Sequence, residues 1–181
     1  MTLSKEEGKR YYQLWLPLLD YVNQKYKVRP ELKKMAGAES LVPEEVKEIS
    51  NRLVDDVSVI DEYLEVKKDL TEKDRAIILS WKKSTRGRFV IERHLKAGSI
   101  FISMEDEQVY QVVGIISSIE EMFYYAPMPL IVEATLMPYE DKIISDGLIM
   151  PYMIHVGGNM KRMFKDVYMT AKNSGRVIKT L

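Results

Sequence analysis

The chain has no cysteine and only two histidines among its 181 residues. Without thiols, a disulfide framework, a thiol nucleophile and a thiolate zinc site are all excluded. It also lacks an excess of charge of either sign, because 27 Lys and Arg balance 27 Asp and Glu. Zero net charge gives no long-range pull on nucleic acid or anionic membrane, so binding to either needs a local patch. Long apolar runs are missing too. Ile143 to Val156 comes nearest, interrupted by Ser145, Asp146, Gly147, Pro151 and His155, and a bilayer span needs ~20 apolar residues. Met1 to Arg10 has no apolar segment of the kind a secretory signal requires. No membrane partner, cofactor or metal is expected, and the expected location is the cytoplasm.

What is present is the composition of a folded domain, long enough to bury a sizeable core. The first half reads as helical. Ser4-Lys-Glu-Glu7 has the pattern of a capping box, and Tyr11, Trp15, Leu18, Val22 and Tyr26 follow as one apolar stripe. Pro17 interrupts that stripe and predicts a kink or a second helix. Pro30 is expected to start a short helix through Met35, ended by Gly37. Pro43-Glu44-Glu45 opens a stronger one, with acids at the positive end of the helix dipole. Val46, Ile49, Leu53, Val57, Ile60 and Leu64 continue at helical spacing, as one helix or as two with a break near Asp55-Asp56. Thr71-Glu-Lys-Asp74 caps another helix, which carries Ile78 and Trp81 inward and ends near Lys83.

From Ser84 the period changes to two. Phe89, Ile91 and Leu95 are expected on one face of a strand, alternating with Val90, Glu92 and His94. Turns at Lys96-Ala-Gly98 and Glu105-Asp-Glu107 complete a three-strand meander through Ile116. A short helix is expected from Ser118 to Tyr125, and then a strand with Leu130, Val132, Ala134 and Leu136 on one face. Pro138 and Pro151 are read as strand breakers, with strands at Lys142 to Ser145 and Tyr152 to Val156. Asn159 is the expected cap of a last helix bearing Met160, Met163, Phe164, Val167, Tyr168 and Ala171 on its apolar face. Gly175 ends it, and Arg176 to Leu181 returns as an edge strand. The eleven methionines, several of them between Met122 and Met163, could make an adaptable binding groove, but at helical spacing they are read as core. The fold class is therefore α+β: a helical layer over residues 1–83, then a five- to six-stranded antiparallel sheet or small barrel with a C-terminal helix over 84–181. With no Pro/Gly/Ser-rich linker between them, the halves are expected to pack as one unit.

Three groups of residues carry possible chemistry. Gly157, Gly158 and Asn159 lead into a helix whose first turn holds Lys161 and Arg162. Free N–H groups at a helix start attract anions, and a bound phosphate or carboxylate would offset those two cations. The spacing fits neither the P-loop nor the dinucleotide fingerprint. Asp141, Asp146 and His155 include an acid–histidine pair suited to acid–base chemistry, although Asp146-Gly147 reads equally as a turn. Lys82, Lys83, Arg86, Arg88, Arg93, His94 and Lys96, aligned with Lys161, Arg162 and Lys165, would make a basic surface for nucleic acid, with Glu92 interrupting it.

Leu136-Met-Pro-Tyr-Glu-Asp-Lys-Ile-Ile-Ser-Asp-Gly147 resembles a pattern of an uncharacterised bacterial family, found mainly in Firmicutes. There a Leu-Pro-Phe segment leads into Lys-Ile-Ile-Tyr-Asp-Gly, then a Gly-rich turn and a helix with Tyr and Ala near its end. The matching positions here are Gly157, Gly158, Tyr168 and Ala171. Trp81 with Gly87-Arg-Phe-Val90, and Val109-Tyr-Gln-Val112, are similar as well, so the likeness runs from about Thr71 to Leu181. Tyr139 stands where that pattern has Phe, and Ser145 where it has Tyr. Some members carry a zinc motif of the SEC-C type, which a chain without cysteine cannot form. The resemblance implies no particular activity. Two histidines, no cysteine and no glycine fingerprint assemble no complete catalytic constellation. The residues point first to a non-enzymatic binding or protein-interaction module with a protein or small anionic ligand as partner. Nucleic-acid association through the basic residues is the alternative, and anion binding at Gly157–Asn159 with acid–base chemistry a third.

Overall fold

The computed structural model describes every residue except Lys33 and Glu39. The chain is α+β and forms two compact units, Lys5–Ser84 and Thr85–Leu181, with Met1–Ser4 belonging to the second.

The helical unit holds α1 (Lys5–Tyr26), α2 (Pro43–Asp55), α3 (Val59–Val66), α4 (Glu72–Ser80) and a 3₁₀ turn at Trp81–Lys83. Pro17 neither ends nor divides α1. The bond lost to its missing N–H is outweighed by burial of Tyr11, Leu14, Trp15, Leu18 and Leu19 along the same helix. Trp15 and Trp81 meet edge-to-face at 5.2 Å, with Tyr11 5.9 Å from Trp81. The stretch from Pro43 to Val66 is two helices. Asp56 leaves the helical region (φ −143°, ψ 79°), and its carboxylate accepts from Tyr26 Oη at 2.6 Å and Ser58 Oγ at 2.5 Å. The expected Pro30–Met35 helix is absent from its described residues, and Lys33 lies outside them. Instead Pro30 and Glu31 form a turn, and the Asp20 carboxylate accepts from the Met35 and Ala36 amides at 2.7 and 3.1 Å. Thr71 and Asp74 cap α4 reciprocally, as the sequence predicts. Asp74 also receives a fork from Arg10, with Nε 2.7 Å from Oδ1 and Nη2 on Oδ2. Burial alone would raise the Asp74 carboxyl, but the bonds from Arg10 and Thr71 outweigh it and hold it below the usual carboxylate range.

The second unit holds β1 (Thr85–Leu95), β2 (Gly98–Ser103), β3 (Val109–Val113), α5 (Ile119–Met122), β4 (Leu130–Tyr139), β5 (Lys142–Ser145), β6 (Met150–Pro151) and α6 (Gly158–Asn173). β1, β2 and β3 form the expected antiparallel meander. The sheet is mixed rather than wholly antiparallel, because β3 and β5 run parallel. β4 pairs with β5 and β6 along one edge and with β1 along the other. Pairing therefore runs β1–β2–β3–β5–β4 and returns to β1. With only two residue pairs joining β3 to β5, this is a coiled sheet rather than a regular barrel. Inside it lie Phe89, Ile91, Phe101, Val112, Val132 and Leu136, with Ile119 of α5 against them. The outer face of β1–β3 presents Val90, Ile100, Ile102 and Val109, and α6 covers it with Phe164, Tyr168 and Ala171.

Several local expectations change. The β1–β2 register shifts between Ile91 and Arg93, so Glu92 is the extra residue of a bulge. Alternation inverts beyond a bulge, and Leu95 packs with the outer cluster rather than with Phe89 and Ile91. Pro138 does not break β4; it lies opposite Ile143 within the strand. Tyr139 and Lys142 close the two-residue Glu140–Asp141 loop. The nitrogen of Pro138 therefore faces away from β5, where no N–H is required. The strand expected over Tyr152–Val156 occurs earlier, as Met150–Pro151. Of the C-terminal edge strand only a bridge forms, with Ile178 N bonded to Val109 O and Gln111 N to Ile178 O. The Leu136–Gly147 stretch is the β4–β5 hairpin and the turn after it.

Candidate functional site

The Gly-Gly-Asn start of α6 differs from expectation. Gly157 is the N-cap (φ −70°, ψ 163°), and Asn159 lies inside the first turn. The Asn159 Oδ1 accepts from Arg162 Nη2 at 2.8 Å, so the residue read as a cap is holding one of the two cations. A Cβ on Gly157 or Gly158 would meet no protein atom within 4 Å, so the space around both is open. Lys161 turns to a small cleft of about 30 Å³ shared with His155 and Pro127–Leu130. Arg162 lines a different groove. Asn159 lines that groove as well.

Asp146 and His155 have contrasting surroundings. Asp146 is buried, and its Oδ1 accepts from Leu148 N at 3.0 Å while Gly147 takes φ +83°. That is turn chemistry. His155 is exposed, and the cleft it lines does not include Asp146. Asp141 sits exposed beside Lys142 at 3.1 Å. Among the described residues no group of three metal-ligating side chains assembles.

The basic run is divided. Lys82 and Lys83 belong to the helical unit, where Lys82 pairs with Asp61 at 2.8 Å. On β1, Arg86 and Arg88 are exposed, and Arg88 stands opposite Glu133 of β4. Arg93 is neutralised by its neighbour: Nη2 is 2.9 Å from Glu92 Oε1 and Nε bonds Oε2. The same guanidinium lies 4.8 Å from the centre of the Tyr168 ring. His94 Nδ1 is 2.8 Å from Ser99 Oγ, while its buried Nε2 has no partner. Burial lowers the His94 pKa. On α6, Lys161, Lys165 and Lys172 are exposed and fall within about 40° of one another at 100° per residue. They form a basic row along one flank.

Two features were not anticipated. The first is an open groove of about 870 Å³ between the β2–β3 turn, α6 and the C-terminal residues. Its lining carries both signs, with Asp106, Glu107 and Asp166 beside Arg162 and Arg176, together with apolar residues that include Val109. The second is a set of exposed large apolar side chains on two adjoining loops. α5 ends at Met122, so Tyr124 and Tyr125 leave the helix in which they were expected. They are 75% and 95% exposed, with rings edge-to-face at 5.0 Å. Phe123, Ala126 and Met128 turn inward against the core, which fixes the loop beneath them. Met153 and Ile154, 99% and 59% exposed, precede α6. The cleft between Pro127–Leu130 and Ile154–Val156 places the two loops side by side. The expectation that the methionines are core fails here: Met122, Met153, Met160 and Met163 are all exposed. α6 meets the sheet along Phe164, Tyr168 and Ala171, which leaves Met160 and Met163 beyond the contact. The tyrosine pair had one sequence signal, two adjacent aromatics before Pro-Met-Pro, where no helix can continue.

Among the described residues, no helix is long and apolar enough to cross a membrane. No protein family, curated protein or solved structure matches the chain.

Proposed function

We propose that the chain is a non-enzymatic cytoplasmic binding module that engages another protein through its β-rich unit. The observation that carries this reading is the exposure of Tyr124, Tyr125, Met153 and Ile154 on two loops that meet at one cleft. Contiguous exposed apolar side chains rimmed by polar ones mark interaction sites on soluble domains. Tyrosine and methionine suit that role, one rigid and amphipathic, the other adaptable. The turn role of Asp146 and its separation from the His155 cleft weigh against acid–base catalysis.

Nucleic-acid association is the second reading, and connectivity favours it. The ring of strands, with a parallel β3–β5 pair and a short helix between β3 and β4, corresponds to five-stranded Greek-key barrels that bind oligonucleotides. Those folds use the face of strands 2 and 3, flanked by the β1–β2 and β4–β5 loops. The correspondence is one of fold alone. In this chain α6 lies on that face, and both loops are two residues long. The protein reading is therefore the better supported. A photoreactive amino acid at position 125 or 153 is expected to trap one discrete protein partner in cells that make the chain. At Lys68, on the helical unit, it should trap none. Equal, diffuse labelling from all three positions would sink the proposal.

A further inference from the structure

Beyond that reading, and independently of the Tyr125 and Ile154 loops, we infer that residues 176–181 are a displaceable strap over a strand-docking edge of β3. When the strap leaves, the edge accepts an extended segment of a partner protein, basic at its start and apolar after it. The edge exists because β5 pairs with β3 only at Val112 and Val113, while β2 occupies the other side of β3. At Val109 and Gln111 the β5 side would stand open, and an open strand edge recruits other chains unless it is covered. Ile178 covers it as a parallel bridge. Its N–H donates to Val109 O at 2.8 Å, and Gln111 N–H donates to Ile178 O at 2.9 Å. Val177 packs against the outer cluster, and Ile178 and Leu181 against the inner one.

The strap fills its place incompletely. Among the described residues it is bridged to β3 at Ile178 alone, and none of its six residues is fully buried. Ile178 lines both the groove of about 870 Å³, with Arg176, and a second open groove of about 710 Å³, with Val177 and Lys179. A segment held this way opens locally without global unfolding. The strap also shows what the edge takes. A backbone running parallel to β3 supplies the ladder bonds, and side chains supply the specificity. Those side chains are apolar at the places of Val177, Ile178 and Leu181, with a cation at the place of Arg176. Once Arg176 leaves its groove, Asp106, Glu107 and Asp166 remain against the single guanidinium of Arg162. A basic residue is favoured there, and the phosphates of a nucleic acid or a bilayer are not.

The test uses the full chain and a fluorescent peptide, Gly-Arg-Val-Ile-Lys-Thr-Leu, which copies residues 175–181. A tethered competitor acts at about millimolar effective concentration, so the wild type should bind this peptide weakly. Ile178→Ser with Leu181→Ser loosens the strap and leaves β3 intact, and affinity for the peptide should then rise about tenfold or more. Adding Glu107→Lys and Asp166→Lys, both at exposed positions, should cut that affinity about fivefold, and less at high salt. In the wild type, the Gln111 and Ile178 amides should exchange hydrogen at least about tenfold faster than those of the β2–β3 ladder. The inference is overturned if the loosened variant binds the peptide no better than the wild type, or if it does not fold, since the strap is then integral to the sheet. It is also overturned if the charge reversal changes nothing, or if Gln111 and Ile178 exchange only with global unfolding. Wild-type dimers that the strap substitutions abolish would make a second copy the occupant, against the partner claimed here. None of these results bears on photocrosslinking from positions 125 and 153, so the two readings stand or fall separately.

Discussion

Replacing Asp74 with asparagine keeps the size of the side chain and removes its charge, which makes it a clean probe of the helical unit. The carboxylate is nearly inaccessible, with its side chain 3% exposed, while Arg10 is 42% exposed. It accepts the Arg10 fork and also completes the Thr71 capping box. Hydrogen bonds to charged groups contribute about 1.5–3 kcal/mol, but the guanidinium can rehydrate, so the fork is discounted to about 1–2 kcal/mol. Half of the reciprocal cap adds roughly 0.5–1 kcal/mol. The expected loss at neutral pH is therefore about 1.5–3 kcal/mol. Urea unfolding followed by Trp15 and Trp81 fluorescence reads it directly, because Trp81 immediately follows α4. The pH dependence provides an independent check. An unfolded aspartate takes up its proton near pH ~3.9, whereas the folded Asp74 holds out to lower pH. Its stabilisation is thus complete above that value and disappears as pH falls through the folded pKa. The gap between wild type and Asp74→Asn should narrow on acidification. A loss under about 0.5 kcal/mol at neutral pH, or a gap that does not narrow in acid, would refute the reasoning.

Gly114→Ala should be severe, since the new Cβ would lie 1.9 Å from the Ser117 carbonyl oxygen, which is backbone and cannot rotate away. A loss of about 3 kcal/mol is expected in urea unfolding, against less than about 0.5 kcal/mol for Gly157→Ala, whose surroundings are open. Burial lowers the His94 pKa, with Glu120 pulling the other way and the N-terminal amine adding to the depression. The unfolded chain therefore protonates first, near pH ~6.5, and stability should drop as pH falls below that value toward the folded pKa. His94→Gln should flatten that slope in denaturation curves recorded across about pH 5–8. An equally steep slope in the variant would assign the dependence to other groups.

The helices that announced themselves in the sequence did so through local chemistry. Pro43 with two glutamates, and Thr71 with Asp74, specify helix starts from residues within one turn. Whether Pro43 to Val66 was one helix or two was not local: Asp56 is held by Tyr26, thirty positions earlier. The first part of β1 was legible by alternation, but its phase beyond Glu92 was not, because a bulge is fixed by register against β2. Both members of the acid–histidine pair were visible as residues, and only the fold could separate their environments. Likewise, helical spacing marked Met160 and Met163 as apolar without revealing where the contact with the sheet ends. The apolar surface escaped for the opposite reason. Ser118 and Glu121 cap α5 as a capping box should, and the stop signal in the sequence, Pro127, lies beyond both tyrosines and so does not mark the end at Met122.

The placement of α6 bears on how the chain avoids self-association while it is being made. Every strand precedes α6 in the sequence, so during synthesis the outer face of β1–β3 must wait for its cover. That face carries Val90, Ile100, Ile102 and Val109, and β2 reads Gly-Ser-Ile-Phe-Ile-Ser without a charge. Short uncharged segments of high β-propensity are the ones that assemble into cross-β stacks when left open. At ~5–20 residues per second, the interval between β3 and α6 lasts seconds, ample time for such encounters. The helix therefore acts as the guard of an aggregation-prone sheet. Damage to its Phe164 and Tyr168 contacts should appear as lost solubility before it appears as a lower melting temperature.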